Sequence, residues 1–442
     1  MSITIIAILM FIVLIVCFFL GHPLAFVLGG VGTLFGLFLT GPSFFHAFID
    51  RIFAGTMSNF TLAAIVLFIF MGNLLTVSGI ADRLFASLRY LLGSLRGGLG
   101  LAVLFVSIIF AACTGIVGAS VVTMGLLAGP MLLRYGYQKE LSMGIITAGG
   151  TVGLMIPPSI MLVIMGDQAN VAVGKLFAAV IIPGLAMSLA YMLYVAIRCT
   201  INPKVGPPIP AEQLAKVSFG RRVFTAIIYA LPPICLILFV LFSIFLGYFT
   251  PAEAAGIGSF LAIILVLVYR RFTWAGFLTT IYQTAKASAM VLMIIVGASC
   301  FTSVFIGMGG GTALVEAVMA TGLGKWGIYT LMMIILLIMG CFIDWVGLVL
   351  IAFPVFLPIA KLLGFDMLWY VTMMAMVLQI AFLTPPFGYA LFYMAGLKFE
   401  GVTFPHLYRG VLPFVIMQVI GFVILTIYPE IVLWLPSIMF DK

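Results

Sequence analysis

The stretches Ile156-Pro157-Pro158-Ser159 and Thr384-Pro385-Pro386-Phe387-Gly388 decide the fold, because each places a double proline inside a long apolar segment. The second double proline follows the first by 228 residues, and Pro130 recurs at the same offset as Pro358. Proline removes a backbone donor and clashes with the preceding turn, so a helix cannot continue unbroken through either position. The chain is therefore predicted to consist of two related halves, each with one broken helix.

The composition is that of an all-α polytopic membrane protein. Of its 442 residues, 65% are hydrophobic and 7% are charged, and the mean hydropathy is +1.35. Apolar runs of about 20 residues, long enough to cross a lipid bilayer, follow one another along the chain. Matching broken helices in the two halves of such a protein are typical of the binding site of a secondary transporter. The net charge of +8 then reports the orientation of loops, and no nucleic-acid partner is expected.

The apolar runs predict ten crossing helices and two helical hairpins. The stretches 99–133 and 326–360 are too long for one crossing and too short for two, and each has a Gly-rich or polar centre. We expect both to be re-entrant hairpins, because backbone can turn at membrane depth only where protein or a cavity satisfies it. The ten helices are predicted at 3–21, 23–42, 57–80, 141–166, 176–198, 224–248, 252–270, 280–306, 368–395 and 410–434.

The basic residues predict the orientation. If both hairpins return to their side of entry, 14 of the 20 Lys and Arg residues fall on one face, which the positive-inside rule makes cytoplasmic. The two repeats then have inverted topology, with both termini outside and the hairpins entering from opposite faces. The 14 residues are Arg83, Arg89, Arg96, Arg134, Lys139, Arg198, Lys204, Lys216, Arg221, Arg222, Arg270, Arg271, Lys398 and Arg409. The other face receives Arg51, Lys175, Lys325, Lys361 and Lys442, and Lys286 lies inside a helix.

The first half-site combines the tip of the first hairpin (the first tip, residues 114–120) with the first proline break (156–159). Glycine allows a tight turn, and Ser and Thr hydroxyls provide oxygen ligands. Freed carbonyls and helix C-termini can coordinate sodium, whereas exposed helix N-termini favour an anion. The predicted sodium ligands here are Gly118, Ser120, Thr123 and Pro157, and the predicted substrate contacts are Thr114, Gly115, Pro158 and Ser159.

The second half-site has the same layout, with the second tip at 341–347 and the second break at 384–388. Its carboxylate is predicted to lie at membrane depth, where an ionisable group is costly and is a candidate for function. Asp344 is then a cation ligand or proton carrier; the alternative is a structural partner of helix N-termini or a nearby hydroxyl. The predicted sodium ligands are Asp344, Gly347, Thr384 and Pro385, and the predicted substrate contacts are Pro386 and Gly388.

Other kinds of site are not indicated. The six cysteines are scattered without a CxxC pair, and the three histidines lie far apart, so neither a disulfide framework nor a transition-metal site is expected. The chain has no P-loop, so no nucleotide hydrolysis or cofactor is expected. A membrane-embedded enzyme would need a clustered catalytic set, which the sequence does not offer. The proline-rich stretch 198–222 is predicted to be an exposed linker between the halves.

Seven stretches, which include the two double prolines, carry a family resemblance. They are Gly79-Ile80-Ala81 with Arg83-Leu84, Leu95-Arg96-Gly97-Gly98-Leu99, Ile156-Pro157-Pro158-Ser159-Ile160, Val173-Gly174-Lys175-Leu176-Phe177, Ile182-Pro183-Gly184-Leu185, Thr250-Pro251-Ala252-Glu253-Ala254-Ala255 and Thr384-Pro385-Pro386. In these stretches the chain resembles the large membrane subunit of tripartite ATP-independent periplasmic (TRAP) transporters, the DctM-like permeases. The matches span most of the chain in the family's order.

The resemblance implies a permease of the bacterial inner membrane with the elevator-type architecture of the ion-transporter superfamily. Sodium is the implied coupling ion, a periplasmic binding protein delivers a small organic acid, and a small four-helix membrane subunit braces the scaffold. The chain shows no additional four-helix block, so that subunit is expected to be separate. The alternative is a sodium/carboxylate transporter or ion antiporter of the same superfamily that needs no binding protein.

The first tip departs from the commoner serine-rich type of the family. It reads Gly115-Ile116-Val117-Gly118-Ala119-Ser120, and with Gly166-Asp167-Gln168-Ala169-Asn170 it resembles a branch linked to 2-oxo acids, chloroaromatic acids and similar anions. The substrate is therefore left open among carboxylate, 2-oxo acid and sulfonate types. Ser120 is the hydroxyl that the family pattern carries over most directly.

The resemblance also implies a division of the chain into scaffold and transport elements. Scaffold helices are predicted at 1–80 and 224–306, transport elements at 81–197 and 307–409, a cytoplasmic linker at 198–223 and a C-terminal helix at 410–442. Each set of transport elements contains one hairpin and one broken helix: 99–133 with 141–166, and 326–360 with 368–395.

Overall fold

The computed structural model describes residues 3–214 and 218–440, and within these ranges all regular structure is helical. Lys216 and Lys442, which belong to the charge count above, lie outside the described residues. The predicted all-α polytopic fold is confirmed. Its orientation in the membrane and its division into scaffold and transport elements stay predictions.

The first half contains ten α-helices in the described residues. They are α1 (Ile3–Phe19), α2 (Leu24–Thr40), α3 (Phe44–Arg51), α4 (Thr61–Val77), α5 (Ile80–Leu92), α6 (Gly98–Thr114), α7 (Val117–Arg134), α8 (Lys139–Thr151), α9 (Ile160–Ala169) and α10 (Val173–Ile201). A π-helical segment, Ile52–Met57, continues α3.

The connecting segment, residues 202–218, follows α10 and contains the short helix α11 (Ala211–Leu214). The second half comes after it and repeats much of the order of the first. Its described helices are α12 (Phe219–Phe245), α13 (Pro251–Val268), α14 (Trp274–Gly307), α15 (Gly310–Met319), α16 (Lys325–Gly340), α17 (Trp345–Leu362), α18 (Met367–Leu383), α19 (Tyr389–Gly396), α20 (Phe404–Ile427) and α21 (Glu430–Phe440).

Eight of the described helical segments are long and apolar enough to cross a membrane, or nine if α4 and α5, bent by 55°, form one span. Six of the predicted ten are among the eight, and the other two are α7 and α17, the second helices of the predicted hairpins. The remaining four predicted spans are not among the eight because the two proline-broken helices divide into shorter pieces and because α1 and α4 have 17 residues each. The predicted spans at 141–166 and 368–395 are α8 with α9 and α18 with α19. Both double prolines interrupt helices, and both of their peptide bonds are cis.

Both predicted hairpins are pairs of packed helices with short connections. Residues 115 and 116 join α6 to α7, and Gly115 has the left-handed φ of 61° that this turn requires. Residues 341–344 join α16 to α17, and Asp344 caps α17 by accepting a hydrogen bond from the Val346 N–H at 3.3 Å. The two turns are therefore built differently, one by a glycine and the other by a capping carboxylate.

Small residues bring the central helices close together. A Cβ at Gly144 of α8 would overlap the backbone of Gly410 in α20, and a Cβ at Gly153 would lie 2.5 Å from the Ala111 carbonyl oxygen of α6. Membrane helices associate mainly through such close packing, because lipid provides no hydrophobic drive for helix–helix contact. These contacts fix the first broken helix between the first hairpin and α20.

The short helices that were not predicted include α5 and α15. Each follows a left-handed glycine, Gly79 (φ 66°) or Gly309 (φ 78°), which ends the preceding long helix and starts the next one in a new direction. The first of them, α5, carries Asp82, Arg83 and Arg89, and such charges conceal an amphipathic helix from a search for apolar runs. The prediction also began α14 at residue 280, whereas the helix begins at Trp274.

The prediction of an exposed linker at 198–222 is wrong for Val205, Gly206 and Ile209, whereas Pro208 between them is exposed. The Gly97 N–H donates to the Gly206 carbonyl at 2.9 Å, and the Gln138 N–H donates to the Val205 carbonyl at 2.9 Å. The Ile209 N–H donates to the Gly93 carbonyl at 2.8 Å, and Val205, Gly206 and Ile209 are buried. Backbone groups leave water only when they find partners, so these bonds explain how a proline-rich segment is held against the helix ends.

Candidate functional site

The first tip, the second tip and α19 meet at a cavity of about 100 Å³. Three predicted site residues, Gly115, Gly118 and Asp344, line it. The remaining lining residues are Ile69 of α4, Ile116 and Val117 of the first tip, Ile160 of α9, Ala287, Met290 and Val291 of α14, Trp345 and Val346 of α17, Phe382 of α18, and Tyr389 and Tyr393 of α19. Elements that are distant in sequence therefore share one enclosed site.

The glycines of the first tip have separate roles. Gly115 ends α6 in a left-handed conformation, and its N–H donates to the Ala111 carbonyl at 2.9 Å. At Gly118, a Cβ would lie 2.7 Å from Cζ of Tyr393, a distance that real Cβ atoms do not tolerate. The absence of a side chain at Gly118 thus lets α19 approach the tip and brings a phenol into the cavity wall.

Two buried hydroxyl groups of the first tip lie outside the cavity lining. The side-chain oxygens of Thr114 and Ser120 are 2.8 Å apart, and Ser120 is fully buried. Hydroxyl oxygens keep acceptor lone pairs after donating one hydrogen bond, so this pair can serve a hard cation as ligands. Thr123 lies one turn further along α7, is half-buried and does not line the cavity.

The first break contributes a hydroxyl that has no partner. Ser159 precedes the first residue of α9 with extended backbone, its side chain is fully buried, and its Oγ makes no hydrogen bond with the described residues. Leaving a buried polar group unpaired costs roughly 1–3 kcal/mol, so a ligand at this oxygen would relieve an existing penalty. The next residue, Ile160, lines the cavity, and its backbone N lies 3.3 Å from the Cβ position of Gly115. Pro157 and Pro158 are buried and do not line the cavity.

Asp344 is the acidic group of the cavity. It is half-buried, and it shares the cavity lining with the phenols of Tyr389 and Tyr393. Its carboxylate accepts a hydrogen bond from the Val346 N–H, and no basic side chain of the described residues forms an ion pair with it. A carboxylate in a largely apolar cavity that has no positive partner favours a bound cation or a proton.

The other predicted residues of the second half-site lie outside the cavity lining. The Thr384 hydroxyl donates to the Ile380 carbonyl of its own helix at 2.7 Å. Gly347 packs against α2, where a Cβ would overlap Leu24, so its small size serves helix packing. Pro386 is exposed, and its carbonyl accepts a hydrogen bond from the Tyr408 hydroxyl at 2.7 Å; Pro385 is half-buried.

Gly388 allows the backbone of the second break to turn tightly. It has a positive φ of 39°, and a Cβ there would lie 2.8 Å from the Phe382 carbonyl oxygen and 3.0 Å from that of Thr384. The backbone between α18 and α19 therefore brings two carbonyl oxygens close to Gly388. Carbonyl oxygens freed from a helix in this way are suitable ligands for sodium.

Sequence reasoning missed the aromatic wall of the site. Tyr389 and Tyr393 lie one helical turn apart on α19, directly after the second break, so their spacing places them on one face. Ile69, Ala287, Met290 and Val291 were also missed, because nothing in an apolar helix marks which face meets a distant tip. Among the described residues, no group of His, Cys, Asp and Glu could hold a transition metal.

Residues 11–431 match the family described as tripartite ATP-independent periplasmic transporter, DctM component. The chain is 31% identical over 383 residues to the C4-dicarboxylate TRAP transporter large permease protein DctM of Pseudomonas aeruginosa, which covers 86% of this chain and 87% of the relative. It is 29% identical over 421 residues to the sialic acid TRAP transporter large permease protein SiaM of Vibrio cholerae, covering 95% and 96%.

A solved structure with a similar fold is the YdaH transporter of Alcanivorax borkumensis. The TM-score is 0.63 over 93% of this chain and 96% of that chain, at 15% sequence identity, so the likeness concerns the fold alone. The family match, in contrast, extends over nearly the whole chain. The chain therefore belongs to the DctM component family of tripartite ATP-independent periplasmic transporters, whose members are large, multi-pass permeases of the inner membrane.

Proposed function

We propose that this permease imports a small organic anion by secondary transport driven by a sodium gradient. The observation that carries the proposal is the cavity where the two tips meet, with Asp344 in its wall and the unpaired Ser159 hydroxyl beside it. Sodium favours oxygen ligands, and the hydroxyls of Thr114 and Ser120 and the carboxylate of Asp344 provide them from both halves.

The substrate class follows from charge and from the relatives. The wall of the cavity contains two phenols and the N-terminus of α17, and a helix N-terminus favours an anionic group. The names of the relatives specify C4-dicarboxylate and sialic acid, both of which are organic anions. We propose a carboxylate, 2-oxo acid or sulfonate as the substrate and no enzymatic activity, in keeping with a family of permeases.

We further propose an elevator mechanism and two protein partners. The cavity is bounded on one side by α4 and α14 and on the other by the tips and α19, which fits a site carried past a fixed framework. A periplasmic binding protein would deliver the substrate, and a small membrane subunit would brace the framework, as the tripartite family name suggests. The alternative is a transporter of the same fold that works without a binding protein.

The test is uptake into proteoliposomes that contain the large and small subunits, with the cognate binding protein added outside. Succinate, pyruvate and isethionate serve as radiolabelled probes. We expect uptake of one of them only under an inward sodium gradient and only with the binding protein. Uptake that continues in potassium medium would contradict sodium coupling, and uptake without the binding protein would establish the alternative.

Two substitutions test the site within this assay. We expect Asp344→Asn and Ser120→Ala each to raise the sodium concentration needed for half-maximal uptake by roughly tenfold, which corresponds to the loss of one ligand worth about 1.4 kcal/mol. Asparagine preserves the cap on α17, so folding should be retained. Asp366→Asn, at the cap of α18, and Ser188→Ala, bonded to the Gly184 carbonyl in α10, are the matched controls. Unchanged sodium dependence in Asp344→Asn and Ser120→Ala would remove both residues from the site.

A further inference from the structure

A basic cleft lies where the connecting segment crosses the base of the first hairpin, away from the cavity at the tips. Its volume is about 590 Å³, and no acidic residue lines it. Three parts of the chain line the cleft: α5, the end of α7 with the two residues after it, and the connecting segment. The lining residues are Arg89 of α5, Met131 and Arg134 of α7, Tyr135 and Gly136 after that helix, and Pro207, Pro208, Pro210 and Gln213 of the connecting segment.

Arg89 is held in position by its neighbours. Its guanidinium donates to the Tyr90 hydroxyl at 2.9 Å and lies 4.7 Å from the centre of that ring. One guanidinium nitrogen also contacts the Met131 sulfur at 4.0 Å, which places the charge against α7. A stacked, half-buried arginine loses little side-chain entropy when it binds an anion, so this arrangement is pre-organised for one.

The second arginine faces the same cleft from the neighbouring helix. Arg134 lies three residues after Met131, on the same side of α7, and it is exposed at the C-terminal end of that helix. In the part of the chain that the structure describes, neither Arg89 nor Arg134 has a carboxylate within 4.0 Å. The cleft is therefore lined by two guanidinium groups whose positive charge no carboxylate of the described residues neutralises.

The connecting segment completes the wall and leaves a further donor. The Tyr135 hydroxyl donates to Oε1 of Gln213 at 2.6 Å, which orients the amide and leaves its Nε2 group for another partner. The backbone bonds of Val205, Gly206 and Ile209 hold the segment in place. Planar guanidinium groups with an additional amide donor match the tetrahedral oxygens of a phosphate group.

We propose that this cleft binds a phosphate group, either of an anionic phospholipid headgroup or of a free phosphate-class anion. The charge distribution predicts that most basic residues of the chain lie on the face that contains Arg89 and Arg134, and basic pockets between membrane helices on the cytoplasmic side attract anionic headgroups. A bound phosphate would tie α5, the base of the first hairpin and the connecting segment together. This site is separate from the proposed transport site, and its test does not depend on transport.

The experiment measures lipid retention by the purified chain in native mass spectrometry, after exchange into detergent with added phosphatidylglycerol or phosphatidylcholine. We expect phosphatidylglycerol to remain bound and phosphatidylcholine to be lost. Arg89→Gln combined with Arg134→Gln should weaken phosphatidylglycerol binding at least roughly tenfold, whereas Arg409→Gln, an exposed arginine on α20 outside the cleft, should not. Equal retention in the double variant and in Arg409→Gln would overturn the proposal.

Two further measurements distinguish the source of the phosphate and test whether the variants fold normally. If inorganic phosphate displaces the retained lipid, the cleft accepts free anions; if only anionic lipid competes, the headgroup is the ligand. Arg134→Gln alone changes an exposed side chain and should leave the melting temperature of the lipid-free protein unchanged. A single variant that folds normally and retains phosphatidylglycerol with unchanged affinity would also count against the site.

Discussion

Gly72 allows α4 to touch the first tip directly. A Cβ at this position would lie 2.8 Å from Cα of Thr114 and 2.9 Å from its carbonyl oxygen. Both are backbone atoms, so they cannot move aside as the end of a flexible side chain could. The hydroxyl of Thr114 is itself bonded to Ser120, so a shift here would reach the proposed sodium ligands.

We therefore expect Gly72→Ala to push the first tip away from α4 and to reduce uptake roughly tenfold, with a loss of stability of about 1–3 kcal/mol from overpacking. The measurements are initial uptake in proteoliposomes and the melting temperature of the purified protein. Gly30→Ala in α2 is the control, because a Cβ there meets nothing within 4 Å. Equal uptake by the two variants would mean that this contact does not matter for transport.

The site residues that could be predicted are those whose chemistry is unusual for their surroundings. Asp344 was recognisable as a carboxylate in an apolar hairpin, and Gly115 and Gly118 as glycines at a turn. Tyr389 and Tyr393 were not, because an aromatic residue in a membrane helix looks the same whether it faces lipid, core or cavity. The contact between α19 and Gly118, which only the folded structure shows, identifies Tyr393 as a residue that faces the cavity.

The connecting segment is an element whose docking depends on one residue. A Cβ at Gly206 would lie 2.5 Å from Sγ of Cys199 and 3.1 Å from the ring of Tyr137, and the Gly206 carbonyl accepts from the Gly97 N–H. A larger side chain would lift the segment from the helix ends and break the backbone bonds on either side. Lys204, two residues earlier, is exposed and within reach of trypsin once the segment is released.

We expect Gly206→Val to speed tryptic cleavage after Lys204 by roughly tenfold, since cleavage follows the population of the opened segment. Gly220→Val is the control, because this glycine near the start of α12 has nothing within 4 Å of its Cβ position. Limited proteolysis with mass-spectrometric identification of the fragments measures the effect. Cleavage at the wild-type rate in Gly206→Val would show that the bonds of residues 205–209 do not hold the segment.

Among the elements, the prediction succeeded for the two double prolines that recur at the same offset. The prolines at 157–158 and 385–386 interrupt their helices, whereas Pro232 and Pro233 lie inside the continuous helix α12, so a proline pair weakens a helix without deciding alone that it breaks. Prediction failed for the connecting segment because its prolines and glycines indicate a loop equally well in water or against protein. The bonds that bury it come from Gly93, Gly97 and Gln138, which are distant in the sequence.

In the whole molecule, hydrogen bonds join several long helices into one framework. Asn73 of α4 donates to Thr284 of α14 at 3.0 Å, and Ser259 of α13 donates to the Leu67 carbonyl of α4 at 2.9 Å. The hairpins and the broken helices form a second group, packed together as between Gly150 and Val121, and this group also touches the framework where Gly72 of α4 meets Thr114. A side-chain hydrogen bond links the two groups: Asn59, before α4, donates to Asp167 near the end of α9 at 2.7 Å.

If the group that contains the tips moves past the framework during transport, the Asn59–Asp167 contact must open in each cycle, while the Asn73–Thr284 contact must not. We expect a short bismaleimide crosslink between Asn59→Cys and Asp167→Cys, in a chain whose six native cysteines are replaced, to reduce uptake at least roughly tenfold. The same crosslink between Asn73→Cys and Thr284→Cys should leave uptake close to that of the unlinked variant. Both pairs begin in hydrogen-bond contact, so a difference between them reflects motion and not proximity. Full uptake by the crosslinked 59–167 pair would mean that α9 and the segment before α4 stay together, and the elevator proposal would have to be abandoned for a local gate at the tips.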